Sequence, residues 1–287
     1  GPSGYPFFAA DTGGYRHAPP DKETFMRWYQ QSALMPAMQI GTNTNDVAWE
    51  WNEENGFDQE SLDYYSQYTR LHLRLFPYSW TYAQRLLAAG RPIIRSLGLA
   101  FPELESHPWD VYLFGEELFV APVWKKGDRT RETMLPPGRW MDWWDGTVYE
   151  GGQSATVPAP LWKLPLFVRQ GAVVPLLRPT IDTMAPTTLP DRVDSYTSTP
   201  GLLYARLLAG SDGEFTLFDG SSISHRTQGG ELTVNVKDGL EFAQGFVLEI
   251  FFAPSGMSGV LMDNEPVPAV SDETELDAAE KGWLRLN

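Results

Sequence analysis

An acidic residue at the end of a predicted strand is the first place where this sequence could do chemistry. Asp11 directly follows the apolar run 5–10 and precedes the glycine pair Gly13 and Gly14. If that strand belongs to a parallel barrel, the carboxylate lies where such barrels bind their ligands. The alternative is that Asp11 only caps the turn made by the two glycines. We favour ligand contact, because residues in such loops often carry function.

No other group of residues points to a reaction. The chain has no cysteine, which excludes disulfides, thiolate catalysis and zinc–thiolate sites. Asp-rich calcium loops and Gly-rich phosphate loops are absent, and Gly4, Gly13 and Gly14 do not form one. We therefore predict neither a metal nor a cofactor. The histidines show no ligand spacing and are predicted to be structural or exposed; they are His17, His72, His107 and His225.

The composition limits the kinds of partner. The 22 basic and 37 acidic residues give a net charge of −15, which argues against nucleic acid or an anionic membrane surface and is compatible with a neutral substrate. No apolar run approaches the roughly 18 residues of a membrane span. Aromatic residues make up 13% of the chain. They indicate a β-rich core or a sugar-binding surface, and the core interpretation is favoured for any single ring.

The first ninety residues alternate strand and helix patterns. Strands are predicted at 5–10 and 37–41. A helix capped by Asp21, with Glu23 in its first turn, follows the first strand and ends near Pro36. A long helix over 59–89, kinked at Pro77, follows the second. This order is typical of a parallel α/β architecture, although two such units cannot close a barrel of eight strands. A chain that opens directly on a core strand looks cut.

From residue 91 the pattern is all-β. Helix signals end, and short strands alternate with Gly/Pro turns, which is typical of β-sandwiches. The Pro-rich segment 178–192 is predicted to link two domains. We therefore expect a C-terminal barrel segment at 1–90, a proximal β-sandwich at 91–178 and a distal β-sandwich at 179–287. Because each sandwich should have its own core, limited proteolysis is expected to leave a stable fragment that starts near Arg91.

Several segments in order resemble the C-terminal half of glycoside hydrolase family 31. They are YPFFAADTGGY at 5–15, RWYQ at 27–30 with a following Met-Pro, LFPYSWT at 75–81, GRPIIR at 90–95, LFG with FVAPV at 113–123, PPGRWMDWWDG at 136–146 and PLFVRQGA at 165–172. The resemblance implies a (β/α)8 barrel followed by proximal and distal β-sandwiches. It also implies retaining hydrolysis of α-glycosides, with an oligosaccharide or another α-glycoside as substrate.

The resemblance also implies that the catalytic carboxylates are absent from this chain. Retaining hydrolysis needs a nucleophile about 5 Å from a protonated acid. In this family both precede the segment that begins here at Asp11, and none of the ten residues upstream is acidic. The segment 261–265 (LMDNE) superficially resembles the nucleophile motif, but it lies at the wrong end of the chain and is predicted to be a hairpin turn. The missing N-terminal part of the barrel is thus an expected partner.

Four residues are predicted to contact the substrate: Asp11, Tyr15, Gln39 and Gly41. By resemblance, Asp11 binds hydroxyls of the cleaved sugar, and Tyr15 either stacks on the substrate or packs in the core. Many α-glucosidases of the family carry R-x-H where this chain has Gln39-Ile40-Gly41. The run 35–39 (MPAMQ) is more similar to members linked to α-galactosides, which puts a maltase assignment in doubt. Arg27 and Trp28 are predicted to be structural, as an ion pair and a core anchor.

Two function hypotheses follow. The first is a fragment of an α-glycoside hydrolase. The second is a non-catalytic carbohydrate-binding or structural β-sandwich module, for which Trp140, Trp143 and Trp144 are the candidate sugar platform. Strand alternation places Trp140 and Trp144 on one face and Trp143 on the other, which indicates packing between domains. The ordered motifs favour the enzyme fragment.

Overall fold

The structure is a computed structural model that describes residues 5–15, 20–40, 56–256 and 258–285. In these ranges, no helix is long and apolar enough to cross a membrane. The helices are α1 (Lys22–Ser32), α2 (Gln59–Arg74), α3 (Phe76–Ala89), α4 (Leu97–Ala100) and α5 (Glu273–Ala278), with a 3-10 turn at Tyr196–Ser198. The strands up to the predicted linker are β1 (Asp11–Thr12), β2 (Gln39–Ile40), β3 (Ile94–Ser96), β4 (Tyr112–Phe114), β5 (Leu118–Val120), β6 (Thr130–Leu135), β7 (Arg139–Asp142), β8 (Val148–Glu150), β9 (Gln153–Pro158), β10 (Leu166–Arg169) and β11 (Val173–Leu176). The later strands are β12 (Leu203–Leu208), β13 (Gly213–Thr216), β14 (Ser222–Gln228), β15 (Glu231–Lys237), β16 (Phe246–Phe251), β17 (Val260–Met262) and β18 (Glu265–Val267).

The barrel segment contributes one short parallel strand pair. β1 pairs with β2, with Asp11 opposite Gln39 and Thr12 opposite Ile40. The predicted strand at 5–10 is wrong: those residues form no strand, and Tyr5 and Phe7 are exposed. A strand requires a hydrogen-bonded neighbour, and among the described residues β1 pairs with β2 alone.

The helix predictions for this segment are confirmed in type and corrected in detail. The side chain of Asp21 caps α1 by accepting a hydrogen bond from the Thr24 amide, and Glu23 lies in the first turn. The single long helix predicted over 59–89 is two helices that meet at Leu75. Pro77 lies in the first turn of α3, where its missing N–H costs nothing, so the chain breaks before the proline rather than bending at it.

An antiparallel sheet follows the helices. Its strand order is β3-β4-β5-β10-β7-β8, and β6 pairs separately with β9. Three of these strands could not be located individually from the sequence. They are β6, β8 and β9, whose polar, half-exposed residues lack a strong apolar alternation. The expectation that helices end at residue 91 is wrong for α4 and α5, each of which is only one or two turns long.

The remaining strands form three smaller sheets, with orders β11-β12-β16, β13-β14-β15 and β17-β18. β11 pairs antiparallel with β12, so hydrogen bonds connect residues on either side of the predicted boundary at 178/179. The predicted linker is held by two ion pairs: Arg178, its first residue, pairs with Asp194, and Asp182 pairs with Arg70 of α2. The domain boundaries and the grouping of the sheets into two sandwiches stay predictions.

The larger hydrophobic core spans the barrel segment and the β-domains. It unites Phe25 of α1 and Tyr68 of α2 with Leu166 of β10 and Leu207 of β12, all of them buried. A smaller core, around Trp140 and Phe167, lies within residues 97–167. The expectation that the region from Arg91 folds on a core of its own is therefore wrong for the larger core. The helices α1, α2 and α3 supply much of it.

A buried carboxylate fixes α3 against the sheet. Glu117, in the turn between β4 and β5, accepts hydrogen bonds from the hydroxyls of Tyr78 (2.6 Å) and Tyr82 (2.8 Å). Burial, followed by the charge of Glu117, raises the pKa of Tyr78 far above its usual value, so this phenol stays a donor. Gly115 has a positive φ of 74°, and a Cβ there would lie 1.8 Å from the Tyr78 hydroxyl. The close approach of the tyrosine requires glycine at this position.

We expect Gly115→Ala to lower the free energy of unfolding by about 1 kcal/mol for the left-handed backbone, and by about 1–3 kcal/mol more for the clash with Tyr78. Gly146→Ala is the matched control, because its φ is 73° and nothing lies within 4 Å of the added Cβ. Chemical denaturation of both variants measures the difference. Equal losses would contradict the steric argument.

Candidate functional site

The candidate site is the end of the β1–β2 pair. Both strands are parallel, so their carboxyl ends lie at the same edge, and Asp11 stands directly opposite Gln39. The Asp11 carboxylate accepts a hydrogen bond from the side-chain amide of Gln39. Asp11 is half-buried and Gln39 is exposed. The structure thus brings together two of the predicted substrate contacts, with the carboxylate oriented by the amide.

The turn after Asp11 forms without using its side chain. The Gly14 amide donates to the main-chain carbonyl of Asp11 at 2.8 Å, and both Gly13 and Gly14 have positive φ angles. The next residue, Thr12, is buried and shares a hydrogen bond of 2.7 Å with Ser32 at the end of α1. The Asp11 side chain therefore bonds to Gln39 of the neighbouring strand rather than capping the turn.

The other two predicted contacts are less well defined. Tyr15 lies directly after the turn, and 54% of its surface is exposed, so it is not a core residue. Its stacking on a substrate stays a prediction. Gly41 lies outside the described residues.

Arg27 connects α1 to the domain that follows the barrel segment. The residue is 7% exposed, and its guanidinium donates to the main-chain carbonyls of Asp128, Ala159, Pro160 and Lys163, at distances from 2.7 to 3.2 Å. Burial lowers the pKa of Arg27 from its usual value, but an arginine stays charged in proteins. The predicted ion pair is therefore wrong, because four carbonyl dipoles take the place of a carboxylate.

The predicted core anchor on the same helix is also corrected. Trp28 is only half-buried, whereas Phe25, Met26 and Tyr29 are almost fully buried. These three residues lie on one helical face at spacings of one, three and four. The motif at 27–30 thus combines a core side chain, Tyr29, with the two polar side chains that bind the next domain. The second of these is Gln30, which donates to the Leu161 carbonyl.

Residues 159–164 contain three of the four carbonyls that accept from Arg27, and further side-chain contacts hold this segment in place. Tyr68 of α2 donates to the Trp162 carbonyl and accepts from the Leu164 amide, both at 2.7 Å. The buried ammonium of Lys163 lies 2.8 Å from Asp142 and 2.6 Å from Asp145. Burial lowers the pKa of Lys163, but the hydrogen bonds that its ammonium donates to both carboxylates outweigh it and raise this pKa above its usual value. These contacts hold the carbonyls that accept from Arg27 in fixed positions.

Of the tryptophans proposed as a sugar platform, Trp140 and Trp143 are buried and Trp144 is half-buried. Trp140 is fully buried against Phe119, and Trp143 lies under the guanidinium of Arg206, 3.9 Å from its ring centroid. Trp144 packs against Tyr68. The placement of Trp140 and Trp144 on one face is wrong, because β7 ends at Asp142 and the alternation ends with it. The expected packing is observed for all three tryptophans.

The segment 261–265 is a hairpin, as predicted. β17 and β18 are joined by Asp263 and Asn264, whose φ angles are 53° and 66°. Two consecutive positive φ angles are typical of a type I′ turn. The residues that resemble a nucleophile motif are therefore those of a tight hairpin turn.

The described histidines serve structural roles. His72 is hydrogen-bonded to the Ala33 carbonyl, and His107 to the Phe101 carbonyl, each at 3.0 Å, while His225 is buried. His17 lies outside the described residues. No group of three or more possible metal ligands is found in the part of the chain that the structure describes.

Two domain models of one enzyme family match this chain. The model of the glycosyl hydrolase family 31 TIM-barrel domain matches residues 1–82, and that of the family 31 C-terminal domain matches residues 90–174. Together they cover more than half of the chain. This chain belongs to glycoside hydrolase family 31. The fold is the last part of the family 31 barrel followed by a mostly β region.

Curated relatives of the chain include glycosidases and a transferase. An α-xylosidase from Saccharolobus solfataricus is 30% identical over 80% of this chain and 30% of its own length. An isomaltosyltransferase from Sporosarcina globispora is 28% identical over 61% of this chain and 17% of its own length. The chain therefore spans less than a third of these relatives.

Solved family 31 structures share the fold. A dextranase from Flavobacterium johnsoniae in complex with glucose matches with a TM-score of 0.76 and 26% identity, over 96% of this chain and 36% of that one. The cycloalternan-forming enzyme of Listeria monocytogenes, in complex with a pentasaccharide, has a TM-score of 0.84 at 23% identity, over 98% of this chain and 27% of that one. The latter comparison supports the fold alone.

We expect Arg27→Lys to destabilise the protein by about 3 kcal/mol or more, because it leaves buried carbonyls without donors. A lysine has no planar fork that can reach four acceptors at once. Arg226→Lys is the control, since Arg226 forms an exposed ion pair with Asp212 and its unfolding midpoint should scarcely change. Denaturant unfolding followed by tryptophan fluorescence compares the two. Similar midpoints for both variants would refute the role assigned to Arg27.

Proposed function

We propose that the protein containing this chain is a retaining α-glycoside hydrolase and that Asp11 binds the sugar at the non-reducing end. The observation that carries this proposal is the contact between Asp11 and Gln39, which are paired in the two short parallel strands, one residue before the carboxyl end of each. Ligands of (β/α)8 barrels bind at this end. A carboxylate held by an amide is a suitable acceptor for sugar hydroxyls, because an ionised carboxylate has several free lone pairs.

Gln39 has two roles in this proposal. Its amide nitrogen holds the Asp11 carboxylate in one orientation. Its exposed position leaves the amide oxygen available to accept a hydrogen bond from a second hydroxyl. A pair of polar groups fixed before the ligand arrives costs little ordering entropy on binding.

The catalytic carboxylates are proposed to belong to a part of the protein outside residues 1–287. Retaining hydrolysis needs a nucleophile and an acid about 5 Å apart. Two observations support their absence here: the chain spans less than a third of its relatives, and Asp263 lies in a hairpin turn. The residues described here would then bind and orient the sugar without breaking a bond.

Glycosyl transfer is the second candidate function. It is supported by relatives named isomaltosyltransferase and 1,6-α-glucosyltransferase. Hydrolysis and transfer pass through the same covalent sugar intermediate, and they differ in whether water or a sugar hydroxyl attacks it. Asp11 would have the same role in both.

The isolated 287-residue chain is expected to hydrolyse neither aryl α-glucosides nor aryl α-galactosides, because general acid catalysis and the covalent step both require the missing pair. Release of the aryl group, followed by absorbance, measures this. Asp263→Asn serves as the diagnostic variant. Turnover by the chain that disappears in Asp263→Asn would show that Asp263 is a nucleophile after all.

In the complete protein, Asp11→Asn is expected to reduce kcat/KM by about ten- to a hundredfold or more. A hydrogen bond from a hydroxyl to a carboxylate contributes about 1.5–3 kcal/mol, and each 1.4 kcal/mol is about tenfold in rate. Steady-state kinetics on an aryl glycoside tests this, with Asp212→Asn as a control on an exposed carboxylate remote in sequence from the site. Unchanged kinetics in Asp11→Asn would remove Asp11 from the site.

Gln39 and Gly41 are proposed to favour an α-galactoside-like or other non-maltose substrate. A histidine at this strand end would crowd one edge of the sugar ring, whereas glycine leaves room for a hydroxyl of another orientation. We therefore expect a lower kcat/KM for maltose than for a matched α-galactoside. Kinetics on matched α-glucosides and α-galactosides measures the ratio. A strong preference for maltose would refute the argument from Gly41 and leave the family unchanged.

A further inference from the structure

An exposed pair of tryptophans lies outside the site described above. Trp109, in the loop before β4, is 84% exposed, and Trp124, just after β5, is 56% exposed. Their ring centroids are 6.0 Å apart and their planes are inclined at 45°. Large aromatic side chains are seldom left this open to solvent, and two in contact form an apolar patch that calls for an explanation.

The pair is held in place by polar contacts at its edge. The indole N–H of Trp124 donates to Asp110 at 3.0 Å, and Arg131 donates to the same carboxylate oxygen at 2.6 Å. The Lys125 ammonium lies 5.0 Å from the Trp124 ring centroid, so the open ring area belongs chiefly to Trp109. The loop that carries Trp109 is fastened by the bond from His107 to Phe101. An exposed aromatic surface that is already ordered loses little entropy when a ligand binds.

The chain that follows the tryptophan pair is connected to the N-terminus of α1. β1 ends at Thr12, and the chain then enters α1, so the N-terminus of α1 belongs to the same end as the strand termini. Two contacts connect this helix end to the chain just after Trp124. Lys126 forms an ion pair with Asp21 at 3.0 Å, and Arg129 forms one with Glu23 at 2.6 Å.

We propose that Trp109 and Trp124 form a binding platform for neutral pyranose units of a glycan chain. An indole face is a large apolar surface for the C–H face of a sugar ring, and Asp110, Lys125 and Arg131 place an acceptor and donors for hydroxyls beside it. The net charge of −15 argues against a nucleic acid as the stacking partner. The proposal rests on the proposed function, because a platform for glycan units suits a protein that acts on glycosides.

Native gel electrophoresis of the 287-residue chain in gels containing glycogen, dextran or galactomannan tests the platform. We expect the chain to be retarded in at least one of these gels. The affinity for the polysaccharide is obtained from the retardation. Trp109→Ala and Trp124→Ala should each lower this affinity about tenfold or more, and Trp109→Phe should retain most of it. Trp80→Ala is the matched control, because Trp80 is a half-exposed tryptophan of α3 that stacks on Phe76 instead.

Three results would overturn the platform. They are the absence of retardation in all three gels, retardation that is equal in the double variant Trp109→Ala/Trp124→Ala, and retardation lost in Asp11→Asn but kept in both single tryptophan variants. None of these results refutes the proposed function, which is tested separately by the hydrolysis of aryl glycosides. Conversely, an inactive complete protein that still binds a glycan through the tryptophans would refute the proposed function alone.

Discussion

The buried guanidinium of Arg27 is the contact on which the arrangement of this chain depends. Its donors reach four main-chain carbonyls in a domain more than a hundred residues further along the sequence. A buried charge is costly unless its hydrogen bonds are made, so the helix and the carbonyls must keep one relative position. That position fixes α1, and through the Thr12–Ser32 hydrogen bond it also fixes the strand end that carries Asp11. The geometry of the candidate site therefore depends on a residue that does not touch it.

The hydrophobic packing has the same consequence on a larger scale. Residues of α1, α2 and α3 share one core with β10 and β12, and Glu117 ties α3 to the sheet through Tyr78 and Tyr82. The distal strands contact the helices as well, since the Phe218 amide donates to Thr81 and Arg85 lies over the ring of Phe215. These contacts make the helices of the barrel segment part of the folding unit of the β region. The strand pair β1–β2 is connected to this unit by the hydrogen bond between Thr12 and Ser32.

Local features could be predicted from the sequence, and distant contacts could not. The cap at Asp21 and the turn at Asp263 and Asn264 depend on neighbouring residues, and the ordered motifs identified the family. The acceptors of Arg27 could not be predicted from the sequence. Every residue has a main-chain carbonyl, so the residue types do not show which carbonyls the fold brings to the guanidinium. The pairing of β11 with β12 spans a Pro-rich segment that resembles a linker. Trp109 and Trp124 come together only through the fold, and in the sequence each is one aromatic residue among many.

Native-state hydrogen exchange tests most directly whether the barrel segment and the β region form one cooperative unit held by Arg27. The account predicts that the slowest amides of α1, α2 and α3 exchange with the same opening free energy as those of β5 and β10. It also predicts that Arg27→Lys lowers this value for α1 and for residues 159–164 together. Exchange of the three helices that is much faster than that of β5 and β10 in the unsubstituted chain would show that the helices unfold independently, and would contradict the account.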